Sequence, residues 1–195
     1  PEEFKDRYPN EDLDAFKMVR YSDEALRRFF NLAKEQPWYE NTIFLVTSDH
    51  QGKVENKYYQ WMPGFFQIPL LVYAPGEELP TVNTQPVQQI DITPGILAML
   101  GIEAQGGFGH HFFSDEKSYT YHFYRDNFII IDDQHLVVFD GEQVVEAWHW
   151  DRSKQFERLK ELQAGKELDM LVNRLKAVIQ EFDSRLKHNQ LMTCD

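Results

Sequence analysis

The sequence predicts an α/β fold built in two parts. Three observations carry this. Over the first hundred residues, helix-like and strand-like patterns follow one another as helix, strand, loop, strand, helix. The two strand-like runs there are apolar without polar alternation, as in strands covered on both faces. Beyond the glycine-rich "QGGFGHHFF" the style changes to short strand-like runs separated by Asp-, Asn- or Gly-bearing turns, closed by an amphipathic helix. These features divide the chain into an α/β part over 1–113 and a small antiparallel sheet with a C-terminal helix over 114–195.

The first element is a long amphipathic helix. Asn10 suits its N-cap, with Glu11 and Asp12 in the first turn, where the helix dipole favours acids. Leu13, Phe16, Val19, Leu26, Phe29 and Phe30 recur at near-helical spacing, and Pro37 marks the stop. Residues 42–47 form the first strand. A loop over 51–67 holds Tyr58, Tyr59, Trp61, Met62, Phe65 and Phe66, and "IPLLVYAPG" is the second strand, closed by Pro75-Gly76. The two strands, 42–47 and 70–74, are expected as neighbours or near-neighbours in one mixed, mainly parallel sheet. "QIDITPGILAMLG" is a helix with both ends written in: Asp91 or Thr93 to cap it, Pro94 in its first turn, Gly101 for a left-handed exit. "KSYTYHFYRDN", "FIIIDD", "HLVVFDG" and "QVVEAWHW" are expected as an antiparallel meander of three or four strands. The last helix spans about 168–188, with Leu171, Leu175, Val178, Ile179, Phe182 and Leu186 on one stripe.

Composition bounds the partners. A 42% apolar, 14% aromatic chain is globular. A net charge of −12 argues against nucleic acid and anionic membrane surfaces as partners. The one cysteine, Cys194, allows neither an internal disulfide nor a cysteine zinc cluster. The longest apolar runs are too short to span a bilayer. The chain opens at Pro1 rather than Met, so it is expected to be a piece of a longer protein.

The most informative chemistry lies in "NTIFLVTSDHQGK". Successive strand side chains point to opposite faces. Asp49 and His50 can therefore converge on one target only where the strand has ended and the backbone turns, which Gln51-Gly52 permits. In open α/β sheets ligands bind beyond the carboxyl ends of strands. A carboxylate oxygen beside a neutral imidazole suits a divalent metal such as zinc or manganese. The ordinary alternative is a turn aspartate beside a surface histidine, and the dipeptide alone does not decide between them.

Context does more. "VRYSDEALRRFFNLAKEQPWYENTIFLVTSDH" resembles the sulfatase/alkaline-phosphatase superfamily, and within it the lipoteichoic-acid synthase and phosphoglycerol-transferase branch. "IPLLVYAPG", "QQIDITPGILAMLG" and "YHFYRDNFIIIDDQHLVVFDGEQVV" resemble later segments of the same family, in the same order. The resemblance implies the C-terminal part of an alkaline-phosphatase-like α/β sandwich. It implies that Asp49 and His50 are two ligands of one catalytic divalent ion, manganese or zinc, with magnesium as a third choice. It also implies transfer of a phosphoglycerol or phosphoethanolamine headgroup from a lipid-linked donor to a glycan or lipid acceptor, through a covalent threonine intermediate. Gln51 departs from the family, which usually has a small residue, Thr or Tyr there. The nucleophile, an acidic ligand and a substrate-contacting histidine are expected upstream, in the N-terminal part of the same protein. The parent is expected to be anchored in the cell membrane with this part outside the cytoplasm, and 1–195 alone is expected to be inactive. Sulfate-ester hydrolysis, or a non-catalytic binding module on the same scaffold, are the alternatives.

Other residues read as ordinary structure. His110-His111 lacks a carboxylate at ligand spacing on a shared helix face. His122, His135, His149 and His188 are scattered. Lys53 and Lys57 could meet a phosphate, and the aromatic loop 58–66 could line a headgroup pocket, but exposed lysines and packed loop aromatics are common.

Overall fold

The structure is a computed structural model of the chain. It describes residues 14–52, 55–79, 85–103, 107–114, 116–151 and 160–191. The expected helix start at Asn10–Leu13, Lys53 and Cys194 lie outside these residues. The chain forms two compact units: Pro1–Asn56 with Phe66–Leu79, and Lys57–Phe65 with Pro80–Asp195.

The first unit contains α1 (Asp14–Ala33), β1 (Phe44–Thr47) and β2 (Leu70–Tyr73). Its core is an aromatic knot. Ala33, Tyr39 and Phe44 are buried, with Phe30 packed against them. Phe44 lies 5.0 Å from the Phe30 ring and stacks on Tyr73 at 6.0 Å. The Tyr39 and Tyr73 hydroxyls are 2.9 Å apart, so the polar tip of the buried Tyr39 is satisfied by the more exposed Tyr73.

β1 and β2 are neighbours, as expected, but they run antiparallel, with Phe44 opposite Tyr73 and Thr47 opposite Leu70. This corrects the mainly parallel sheet that the sequence suggests. A parallel pair needs a crossover, usually a helix laid over the sheet. Here the intervening described residues hold only two short 3-10 turns, Lys57–Gln60 and Gly64–Phe66. The strands are not covered on both faces either: Leu71 and Tyr73 are exposed, as are Phe16, Val19, Leu26 and Phe29 of the α1 stripe.

In the second unit, α2 (Ile92–Met99) follows a 3-10 turn, Gln89–Asp91. Gly101 exits it at φ +72°, the left-handed conformation its sequence position implies. Gly95 is a packing requirement: a Cβ there would fall 1.9 Å from the Phe112 ring.

β3 (Thr120–Tyr124), β4 (Asn127–Ile131), β5 (His135–Phe139) and β6 (Val144–His149) form the expected antiparallel meander, in sequence order. Arg125 and Asp126, both at positive φ, make the two-residue turn between β3 and β4, the mirror-type turn that matches strand twist. α3 (Lys166–Lys187) covers one face. Its Leu171 and Leu175 pack with Tyr119, Ile130, Val137, Phe139 and Ala147. Burying each leucine contributes about 1.5–3 kcal/mol. The other face of the central strands is buried too, through Ile129, Ile131, Leu136 and Val138.

Candidate metal centre

Asp49 and His50 stand immediately beyond the carboxyl end of β1, where the backbone has left the strand. Two bonds hold this turn against the approach to β2. The Thr47 hydroxyl donates to the Pro69 carbonyl at 2.9 Å, and the Gln51 amide donates to the Gln67 carbonyl at 3.1 Å. Gln51, the residue that departs from the family pattern, thus has an anchoring role in this chain.

Within the turn, the His50 backbone N–H donates to Asp49 Oδ1 at 2.9 Å, which orients the carboxylate. His50 Nδ1 lies 2.7 Å from the Gln51 carbonyl oxygen. A carbonyl only accepts, so Nδ1 carries the proton and Nε2 presents its lone pair. That nitrogen lies 3.4 Å from Asp49 Oδ2. Two acceptors at this separation repel unless a positive species sits near both. Tetrahedral bonds of about 2.0–2.1 Å put neighbouring donor atoms roughly 3.3 Å apart. The donor set and spacing fit two ligands of one divalent cation, with the imidazole tautomer fixed by a backbone carbonyl as ligating histidines usually are. Both side chains are largely exposed, 85% for Asp49 and 79% for His50. The described residues of this unit bring no third His, Cys, Asp or Glu into ligand range.

The remaining sequence candidates resolve into structure. The His110 backbone N–H donates to Oδ1 of the buried Asp91 at 2.9 Å, and the His110 Nδ1 lies 2.9 Å from the same oxygen, so this residue ties a loop to the start of α2. His188 caps α3, with Nδ1 2.7 Å from the Ser184 carbonyl. His122 sits in β3 beside Thr120, and burial pulls its pKa down to about 4. Tyr58 packs against Gly64 and Phe65 against Tyr124, while Trp61 is exposed. Lys57 is exposed at the start of a 3-10 turn.

Sequence reading missed one grouping. His135, His149 and Glu167 bring three ligand atoms within 4.8 Å of one another. His135 and His149 are direct cross-strand partners, and that pairing depends on a register shift between Val138 and Phe139. Counting back from the Asp140-Gly141 turn without the shift puts Trp148 opposite His135 instead, and a one-residue slip exchanges the two faces of a strand. The signal exists only once the bulge is known.

Comparisons with known proteins show what the chain is similar to. The sulfatase family model matches residues 1–102, just over half of the chain. Lipoteichoic acid synthase 1 of Bacillus subtilis is 31% identical over 129 residues, which are 58% of this chain and 20% of that protein. Lipoteichoic acid synthase of Staphylococcus aureus is 27% identical over 128 residues, again 58% and 20%. The chain therefore spans about a fifth of the length of these relatives. A solved structure of a protein in the alkaline phosphatase superfamily from Vibrio parahaemolyticus superposes with a TM-score of 0.75 at 25% identity, covering 99% of this chain and 47% of that one. The α/β arrangement is that of the alkaline phosphatase superfamily, and with its Asp-His turn inside the matched residues the chain belongs to the sulfatase family.

Proposed function

We propose that this chain is part of a metal-dependent phosphotransferase that moves a phosphoglycerol or phosphoethanolamine headgroup from a lipid-linked donor to an envelope glycan or lipid. The reading rests on the Asp49–His50 pair, whose facing acceptors lie 3.4 Å apart in a chain related to lipoteichoic acid synthases. Asp49 and His50 would hold one divalent ion, manganese or zinc. Such an ion, when bound, supplies Lewis-acid stabilisation of phosphoryl oxygens and lowers the pKa of a nucleophile. Asp49 contributes negative charge and a fixed oxygen. His50 contributes a neutral nitrogen oriented by the Gln51 carbonyl. Gln51 and Thr47 keep the turn where both can point to one place. The threonine nucleophile and remaining ligands belong to the N-terminal part of the parent protein, which is held in the cell membrane with this part outside the cytoplasm.

Among the described residues, no helix is long and apolar enough to cross a membrane. The match to the sulfatase model favours a second reading, sulfate-ester hydrolysis on the same scaffold.

The test is metal titration paired with turnover, on the parent protein and on residues 1–195. Asp49→Ala or His50→Ala in the parent is expected to abolish headgroup transfer and weaken metal binding with far-UV dichroism unchanged. Residues 1–195 alone are expected to turn over neither a phosphoglycerol lipid nor a phosphodiester. An active parent carrying Asp49→Ala overturns the site, turnover by 1–195 overturns the placement of the nucleophile, and turnover of sulfate esters in place of phosphoglycerol selects the second reading.

A further inference from the structure

We propose that His135, His149 and Glu167 form a second cation site, for a zinc-class divalent ion, that clamps the first turn of α3 onto the end of the β5–β6 hairpin. The site is separate from Asp49 and His50 and does not depend on the catalytic reading.

The argument starts at Asp132. Its carboxylate is fully buried and accepts from the backbone N–H groups of Gln134 and His135 at 2.9 and 2.6 Å. Lys117 Nζ lies 2.8 Å away. His135 Nδ1 lies 3.1 and 3.2 Å from the two carboxylate oxygens. A buried carboxylate bound to Lys117 is an acceptor, so Nδ1 of His135 carries the proton and donates. Nε2 is then the free lone pair, on a side chain 2% exposed.

That lone pair faces Glu167 Oε1 at 3.3 Å. A carboxylate oxygen offers no proton to an imidazole lone pair, so the pair is unfavourable unless a cation or an added proton lies between. The separation is again about the edge expected for a tetrahedral ion with 2.0–2.1 Å bonds. His149 supplies the third ligand. Its ring lies 4.7 Å from that of His135, centroid to centroid, and one of its donor atoms falls in the 4.8 Å group. Bonding to one ion requires the half-buried His149 and the exposed Glu167 side chains to close from within 4.8 Å to edges of about 3.3 Å. Two imidazoles and one carboxylate suit zinc or a neighbouring transition ion better than calcium or magnesium, which prefer oxygen. The carboxylate–histidine–cation arrangement, with Asp132 behind His135, is the usual outer-shell support of such a site.

The placement gives the ion a structural role. His135 opens β5 and His149 closes β6, Glu167 is the second residue of α3, and Glu161 of the segment linking β6 to α3 bridges to Trp148 of β6. An ion bound to all three cross-links strand ends to helix start, and Glu167, 52% exposed, offers the way in.

The test uses the chain carrying Asp49→Ala and His50→Ala, which removes the other predicted ligands. Calorimetric titration with zinc is expected to show one bound equivalent and a melting temperature that rises with zinc. Adding His149→Ala or Glu167→Gln is expected to weaken that binding at least tenfold and to abolish the zinc-dependent rise. Both residues are partly exposed, so these variants are expected to keep their far-UV spectrum. Absence of zinc binding in the double-alanine chain, or binding unchanged by His149→Ala, overturns the proposal and leaves the His135–Glu167 pair as a protonated contact.

Discussion

Removing the Asp91 carboxylate tests how the second unit is tied together. Asp91 is fully buried at the junction of a 3-10 turn and α2. Its Oδ2 accepts the Gln88 N–H at 2.9 Å and its Oδ1 accepts the His110 backbone N–H at 2.9 Å, with His110 Nδ1 also 2.9 Å from Oδ1. Asp91→Ala strands two backbone donors and an imidazole. An unsatisfied buried donor costs about 1–3 kcal/mol, so the two stranded backbone N–H groups put the loss at about 2–6 kcal/mol. Asp91→Asn keeps the shape but turns an NH2 toward at least one donor, for a loss of about 1–3 kcal/mol. His110→Ala removes only the ring contact and keeps the backbone N–H bond, so it should cost less than Asp91→Ala, about 1 kcal/mol, and a double-mutant cycle with Asp91→Asn should return a coupling no larger than that. Urea unfolding followed by far-UV dichroism reads each value from the midpoint at constant slope. Asp91→Asn within about 0.5 kcal/mol of the parent would refute the reasoning, because it would mean that neither oxygen is needed.

Three further outcomes are expected. Leu171→Ala should lower stability by about 2–5 kcal/mol in the same assay, since Leu171 is 1% exposed against Ile130 and Val137. Gly95→Ala should cost at least about 1–3 kcal/mol through overpacking against Phe112, and Phe112→Leu in the same chain should recover part of it. His122 has its pKa depressed by burial from 6.5 to about 4. The native state therefore binds this proton less readily than the unfolded chain. Its contribution is fully present above pH 6.5 and is lost as pH falls through about 4. Against the parent, His122→Gln should gain on the order of 3 kcal/mol of relative stability across that window, at about 1.4 kcal/mol per pK unit. Parallel pH–stability curves for the two proteins would show that burial does not hold His122 neutral.

Where local chemistry decides the structure, the sequence was readable. Gly101 takes its left-handed exit at φ +72° because glycine, with no Cβ, adopts that conformation at least cost. The meander follows from β-branched runs broken by Arg125-Asp126 and Asp140-Gly141, and Leu171 and Leu175 face its core because a helical stripe has one buried side. Asp49 and His50 were legible as a candidate site for a similar reason. Both lie in one turn, so their proximity needs no long-range information, while the contact of His50 Nδ1 with the Gln51 carbonyl is legible only in the structure.

Two misjudgements share one physical cause. Apolar runs in β1 and β2 signal affinity for a covered environment but carry no direction. Phe44 opposite Tyr73 in an antiparallel pair uses the same residues a parallel pair would use. What selects the direction is the connection, and its described part holds two short 3-10 turns and no crossover helix. His135 and His149 look scattered in the sequence, where fourteen positions separate them. One extra residue in β6, between the partners of Val138 and Phe139, changes which residue stands opposite His135. A bulge of this kind costs the ladder one pairing and leaves no compositional trace, yet it determines whether a tryptophan or a second imidazole meets the buried histidine. Chemistry confined to a turn can be read from neighbouring letters. Chemistry assembled across a sheet waits on register, and register here is set by a single unpaired residue.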